Sequence, residues 1–219
     1  MRQDVQRETR RRLVARAEFE DARVLEVGCG SGRVTAMYAD MPRLIIGLEP
    51  DPGQVRAAAR CVPAAHFVRA SGTDLPFGRG VFEVVLFTLS LHHHPDPLTA
   101  LRQAGRSLAP QGRILVLEPS PQSQIQQLCR VFEDEDDRLE TVERVVHTSW
   151  LPVLSQEVFQ TEWRFEDFEE VVDYAFSYYD HPADPDKRRA MRDFLGPQAE
   201  QRPLIMTDTL RLTCLSGQG

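Results

Sequence analysis

The sequence is nearly devoid of lysine: of 26 basic residues only Lys187 is one, and the rest are arginine. We read that bias as genomic base composition rather than function. Acidic residues outnumber basic ones by 33 to 26, for a formal net charge of −7. A nucleic-acid partner normally needs a basic surface to neutralise phosphates, so none is expected. No apolar run approaches the roughly 18 residues of a membrane span, and the stretch 1–21 lacks the apolar segment of a secretory leader. Membrane insertion is therefore not expected, and a cytoplasmic location is. Cysteine is scarce: Cys29, Cys61, Cys129 and Cys214 form no CxxC pair and show no metal-ligand spacing. That argues against disulfides and structural zinc. Internal repeats and low-complexity segments are missing too. At 42% hydrophobic and 27% charged, the 219 residues suit an ordinary globular protein with room for one sizeable α/β domain.

Along the chain, short apolar segments alternate with helical ones, the pattern of parallel β-strands joined by crossover helices. Residues 1–20 read as an Arg-rich helix that either closes over a ligand or is simply a solvated face. Strands are expected at 22–27, 43–49, 66–70, 81–90 and 113–119. A helix is expected from about Gly32 to Ala39. Asp51-Pro52 and Asp96-Pro97 each supply a capping carboxylate followed by a first-turn proline, opening helices through about Cys61 and Leu108. Pro110-Gln111-Gly112 reads as a turn. Residues 122–149 read as one long polar helix whose acidic run, Glu133 to Asp137, forms a solvated face. A strand at 156–165, helices at 166–179 and 186–195, and a strand at 204–215 complete the chain. The fold expected is α/β: a Rossmann-like, doubly wound sheet of seven strands, mostly parallel with one antiparallel strand near the C-terminus. It is read as a single domain over 1–219, with the cofactor half at 21–120 and acceptor-side helices and final strands at 121–219.

The decisive stretch is Val24-Leu25-Glu26-Val27-Gly28-Cys29-Gly30-Ser31-Gly32-Arg33. Glycines after a strand allow a tight turn and a close approach of ligand to backbone. The following helix is expected to offer unpaired N–H groups to an anion. A dinucleotide fingerprint runs GxGxxG, whereas this loop runs GxGxG with Arg33 at the third glycine's place. Glu26, within the strand just before the loop, would not welcome a pyrophosphate but can engage an ammonium group directly or through water. S-adenosylmethionine (SAM), with its carboxylate, ammonium and sulfonium, suits this mixed polarity better. Glu49, about 20 residues beyond Gly28 at the end of the second strand, is placed to accept both hydroxyls of a ribose. Cys29 reads as a small filler of the loop.

These residues resemble the class I SAM-dependent methyltransferases, especially the branch of ubiquinone/menaquinone-biosynthesis type. The likeness covers 22–119 through VLEVGCGSGRVT, IIGLEPDP, SGTDLPF and FEVVLFTLSLHHHPDPLTALRQAGRSLAPQGRILVLEP. The resemblance implies that Gly28, Cys29, Gly30 and Gly32 surround the methionine end of SAM, that Glu49 takes the ribose and that Pro50 flanks the adenine. Thr88, at the end of the fourth strand, joins the expected cofactor set. The chain departs from its relatives at Ser71-Gly72, where they often carry an Asp-Ala pair. Weaker or rearranged adenine recognition is then expected there, with Gly72 and Thr73 backbone groups contributing.

His92, His93 and His94 end the fourth strand, beside the switch-point crevice where such sheets bind ligands. Three consecutive histidines point in different directions, so no metal site is expected. They either shape the loop or supply a base, and by position His93 is the catalytic candidate. Trp150, Trp163, Phe168, Tyr174, Phe176, Tyr178 and Tyr179 are either core or the lining of an acceptor pocket. The function implied is in-line methyl transfer to a small-molecule acceptor, by a monomer or homodimer. A non-catalytic SAM-binding subunit and a nicotinamide-dependent oxidoreductase are the alternatives.

Overall fold

The computed structural model describes residues 1–217. Seven strands form one sheet in the order β3-β2-β1-β4-β5-β7-β6, mostly parallel, with antiparallel pairing among the C-terminal strands. β1 (Arg23–Val27) lies between β2 (Leu44–Leu48) and β4 (Phe82–Thr88), with Leu25 opposite both Ile46 and Val85. β3 (His66–Val68) pairs beyond β2, and β5 (Leu108–Pro119) beyond β4. Val24 to Val27 are all buried, as the near-continuous apolar run of a strand covered on both faces requires. The strand order reverses between β1 and β4, which puts the crevice at the C-terminal ends of these two strands.

Local chemistry sets the helix starts. Asp51 accepts from Gln54 N at 2.7 Å to open α3 (Pro52–Cys61), and Asp96 accepts from Thr99 N at 2.9 Å to open α4 (Pro97–Ser107). The same device opens α7 (Phe168–Tyr178) at Asp167 and α8 (Pro185–Leu195) at Asp184.

Four expectations need correction. The N-terminal helix is only Glu8–Val14 (α1), not 1–20. Asp4 and Arg7 take positive φ, the Asp4 carboxylate holds Thr9 N at 3.1 Å, and Arg2 pairs with the backbone of Arg164. The helix after the glycine loop shrinks to Thr35–Tyr38 (α2), since Gly32 at φ +80° cannot be helical. The segment 110–112 is a bulge inside β5 rather than a turn before it: the register shifts between Phe82↔Leu108 and Val84↔Arg113. The long helix of 122–149 breaks into α5 (Gln124–Cys129) and α6 (Asp136–Thr148). Asp136 and Asp137 fall in the first turn of α6, where carboxylates favour a helix start. Glu135 is buried and accepts from Gln126 Nε2 at 2.9 Å, so the acidic run is not a solvated helix face.

The chain packs as two compact units. One comprises 10–118, 138–157 and the stretch from 211; its core gathers Leu25, Val85, Phe87, Leu101, Ile114, Val146 and Leu215. The other comprises 1–9, 119–137 and 158–210, built on Trp163, Phe165, Phe168, Val171, Met191 and Leu204. β6 (Val153–Phe165) and β7 (Leu204–Ser216) each run through both. Among the described residues no helix is long and apolar enough to cross a membrane.

Candidate functional site

The glycine loop leaves β1 with Gly28, Gly30 and Gly32 all at positive φ. Two of these glycines are demanded by the protein's own packing. A Cβ on Gly28 would stand 2.6 Å from Ser90 Cβ, and one on Gly32 would stand 3.2 Å from Ala58 Cα. Gly30 differs, because a Cβ there would meet nothing within 4 Å. The loop thus turns its open backbone outward at Gly30. Gly28→Ala combines backbone strain with overlap against Ser90 and is expected to cost about 2–4 kcal/mol of stability. Urea unfolding checks this, and an unchanged midpoint would contradict the packing argument.

The loop's amides are largely committed. Gly28 N and Cys29 N donate to Leu48 O at 2.8 and 2.9 Å, and Gly32 N donates to Cys29 O at 3.0 Å. Gly30 N donates to Glu49 Oε2 at 3.1 Å. With α2 only four residues long, the expected helix terminus for an anion is missing. Glu49 sits just past the tip of β2, its other oxygen accepting from Asp51 N at 3.0 Å. Each carboxylate oxygen keeps a further lone pair. Pro50 beside it is exposed, and its carbonyl accepts from Arg69 Nε at 3.1 Å.

Glu26 lies beneath the loop, fully buried. Its carboxylate accepts from Thr35 Oγ1 and Tyr38 OH, both at 2.6 Å, and from Thr88 Oγ1. Burial pushes its carboxyl above the usual range, against the pull of these hydroxyls and of the Arg33 charge. Sequence reasoning placed Glu26 and Thr88 against the cofactor. The structure turns them toward each other, and they tie β1, α2 and β4 together under the loop. Cys29 is buried, and burial together with Glu26 and Glu49 pushes its thiol up, which fits an inert filler.

At the end of β3 the Ser71 hydroxyl turns back on its own loop, 2.9 Å from Thr73 Oγ1 and 3.3 Å from Thr73 N. Gly72 lies against β1 and the loop after β4: a Cβ there would stand 2.6 Å from Val27 Cγ1 and 2.2 Å from His94 Nε2.

His92 and His93 sit side by side on a 3-10 turn, Leu91–His93, and His94 closes its C-terminal end. His92 is buried, with Nδ1 2.5 Å from Glu118 Oε2, while Glu118 Oε1 accepts from Leu91 N at 2.8 Å. His93 is exposed, and its ring centroid lies 3.9 Å from that of His92. His94 is half-buried, bonded through Nδ1 to Ser90 O at 2.9 Å. Glu118 escaped sequence reasoning. The signal was an acidic residue at the end of an otherwise apolar strand, ILVLEP, beside the histidine-bearing one.

Six of the seven aromatics gather in the second unit, where rings run in contact from Trp163 through Tyr174 and Tyr178 to Tyr179; Trp150 belongs to the first. Trp163 and Phe168 are core of the second unit. Phe132, itself missed, stacks on Tyr179 at 4.9 Å and meets Phe176 edge-on at 5.0 Å. Trp150 is exposed in the first unit, with Arg102 5.7 Å above its ring. Tyr174 and Tyr178 line a cavity of about 520 Å³ together with Met1, Glu170, Asp173 and Ser177.

Residues 25–116, from the middle of β1 through most of β5, match the family model of the methyltransferase domain. That match takes in 92 of the 219 residues, among them the glycine loop, Glu49 and the three histidines. Over 74 residues the chain is 40% identical to an uncharacterized methyltransferase of Mycobacterium sp. strain JLS; the alignment covers 34% of the chain and 29% of that relative. It thus spans less than a third of the relative's own length. In structure, the chain resembles a Bacillus halodurans C-125 protein described as a candidate methyltransferase, with TM-score 0.72 and 15% identity, covering 96% of this chain and 99% of that one. It also resembles the 4+2 cyclase SpnF, with TM-score 0.65 and 19% identity, covering 97% of this chain and 81% of the cyclase. Both likenesses are of fold alone.

Proposed function

We propose that the protein is a SAM-dependent methyltransferase acting on a small-molecule acceptor. One observation carries the reading: the open backbone at Gly30 faces the Glu49 carboxylate, while the amides of Gly28, Cys29 and Gly32 are already spent on Leu48 and Cys29. Such a site has acceptors for a ribose diol and open space for an amino-acid chain. With α2 only four residues long it lacks the helix terminus that a pyrophosphate uses, which weighs against a nicotinamide cofactor. Gly28, Cys29, Gly30 and Gly32 form the cradle, Glu49 takes the ribose, and Pro50, Gly72 and Thr73 border the adenine. Glu26 and Thr88 act as positioning residues beneath the cradle.

Bound there, SAM supplies an electrophilic methyl on sulfur. The chain contributes alignment and exclusion of water. For an acceptor that loses a proton on methylation, His93, the exposed histidine of the cluster, is the base we assign. His93→Ala is expected to slow turnover of such an acceptor about a hundredfold at saturating SAM while leaving cofactor affinity unchanged. An undiminished rate would retire the role. Four free cysteines fit a reducing compartment such as the cytoplasm.

The SpnF likeness favours one competing reading, because it shows this fold carrying a chemistry named for something other than methyl transfer. Incubating the purified protein with methyl-labelled SAM and a fractionated extract of its own cell separates the two. Methyl transfer predicts label in an acceptor and one S-adenosylhomocysteine per label. Binding of SAM with no label moved in any fraction favours a non-catalytic SAM-binding subunit.

A further inference from the structure

His94 and Gly72 form a matched pair that the assigned roles leave unexplained. The His94 ring spans the loops that follow β1 and β3: its Cε1 would be 3.8 Å from a Cβ on Gly28, and its Nε2 2.2 Å from a Cβ on Gly72. Any side chain at position 72 would claim the place of the imidazole. The ring is held from two other sides, edge-on to Phe87 at 5.7 Å and through Nδ1 to Ser90 O at 2.9 Å. A carbonyl oxygen only accepts, so Nδ1 carries the proton and Nε2 presents a lone pair. Burial lowers the His94 pKa, which keeps the ring in that neutral form. Among the described residues, no group donates to Nε2. The nearby Ser71 hydroxyl turns toward Thr73, 2.9 Å from its Oγ1 and accepting from its N at 3.3 Å.

We propose that His94 Nε2 is the acceptor that reads the amino edge of the cofactor's adenine, with Gly72 as the notch that admits the ring. The proposal rests on the SAM reading above. An acceptor fixed at this place favours a base whose edge carries a donor amine. It disfavours a base whose edge carries a carbonyl, since two acceptors then face each other unpaired. Ser71-Gly72 in place of Asp-Ala therefore does not weaken adenine recognition. It moves the acceptor from the β3 loop to the β4 loop.

The test is calorimetry on the whole chain with two probes: S-adenosylhomocysteine and S-inosylhomocysteine, in which a carbonyl replaces the amine. The wild type is expected to prefer the adenine form by about tenfold or more. His94→Phe keeps a ring of similar shape without an acceptor and is expected to bring the two affinities within about twofold, mainly by weakening the adenine form. His94→Gln, which returns an acceptor oxygen near the Nε2 position, is expected to restore part of the preference. A ring that merely filled space would leave the preference unchanged in both variants, and that result overturns the proposal. Equal binding of both probes by the wild type overturns it without any variant. A wild type that binds neither probe brings down the cofactor reading itself, which is a separate outcome.

Discussion

Glu26→Ala is expected to lower the stability of the protein by about 3–5 kcal/mol, a large share of the 5–15 kcal/mol typical of a native chain. The hydroxyls of Thr35, Tyr38 and Thr88 all donate to this one carboxylate, and all four residues are buried. Removing the acceptor leaves three hydroxyls without it where water does not easily reach. Each orphaned group costs about 1–3 kcal/mol, reduced to the extent that the hydroxyls re-pair with one another. Urea unfolding measures the loss. Glu26→Gln keeps an acceptor oxygen and is expected to lose less than half as much. The pH dependence has a definite sign. Burial raises the Glu26 carboxyl above its ordinary 4.5, so its contribution is fully present below that value and fades as pH rises through the folded-state pKa. The stability gap between wild type and Glu26→Gln should therefore move in favour of the wild type as the solution is acidified toward pH 4.5. A gap that is flat or moves the other way contradicts this account of the buried carboxyl.

Glu49→Ala is the second large effect, and it falls on binding rather than folding. The two bonds this carboxylate makes within the chain, to Gly30 N and Asp51 N, lie where water can replace it. Stability should change by less than about 1 kcal/mol. Two charge-assisted hydrogen bonds to a ribose diol are worth about 1.5 kcal/mol or more each, so affinity for SAM and S-adenosylhomocysteine is expected to fall several hundredfold. Calorimetry reads the affinity and thermal unfolding the stability. Retained affinity would remove Glu49 from the ribose site.

The difference between these two glutamates shows what the sequence could and could not disclose. Both were legible as acidic residues near strand ends flanking a glycine loop. Only the register of β1 against β4, and the placement of Thr35 and Tyr38 on a short helix, reveals that one is spent internally and the other faces the loop. The sheet was readable because 24–27 and 82–88 are almost purely apolar, and two helices because Asp-Pro starts are chemically explicit. The break between α5 and α6 was not. It depends on Glu135 turning inward to Gln126 and on Phe132 stacking with Tyr179, partners that are distant in the chain or hidden by an acidic run. The commitment of loop amides to Leu48 O was equally invisible, since it is a bond to a neighbouring strand's backbone. The His92–Glu118 pair belongs with these, because strand adjacency alone brings them together.

The central claim is that the crevice above Gly30 and beside Glu49 accepts an amino-acid sulfonium nucleoside rather than a pyrophosphate dinucleotide. Titrating the intact protein by calorimetry with S-adenosylhomocysteine and, separately, with NAD tests it most directly. One-to-one binding of the first with no heat from the second is the predicted result. Saturable binding of NAD, with S-adenosylhomocysteine giving none, would contradict it.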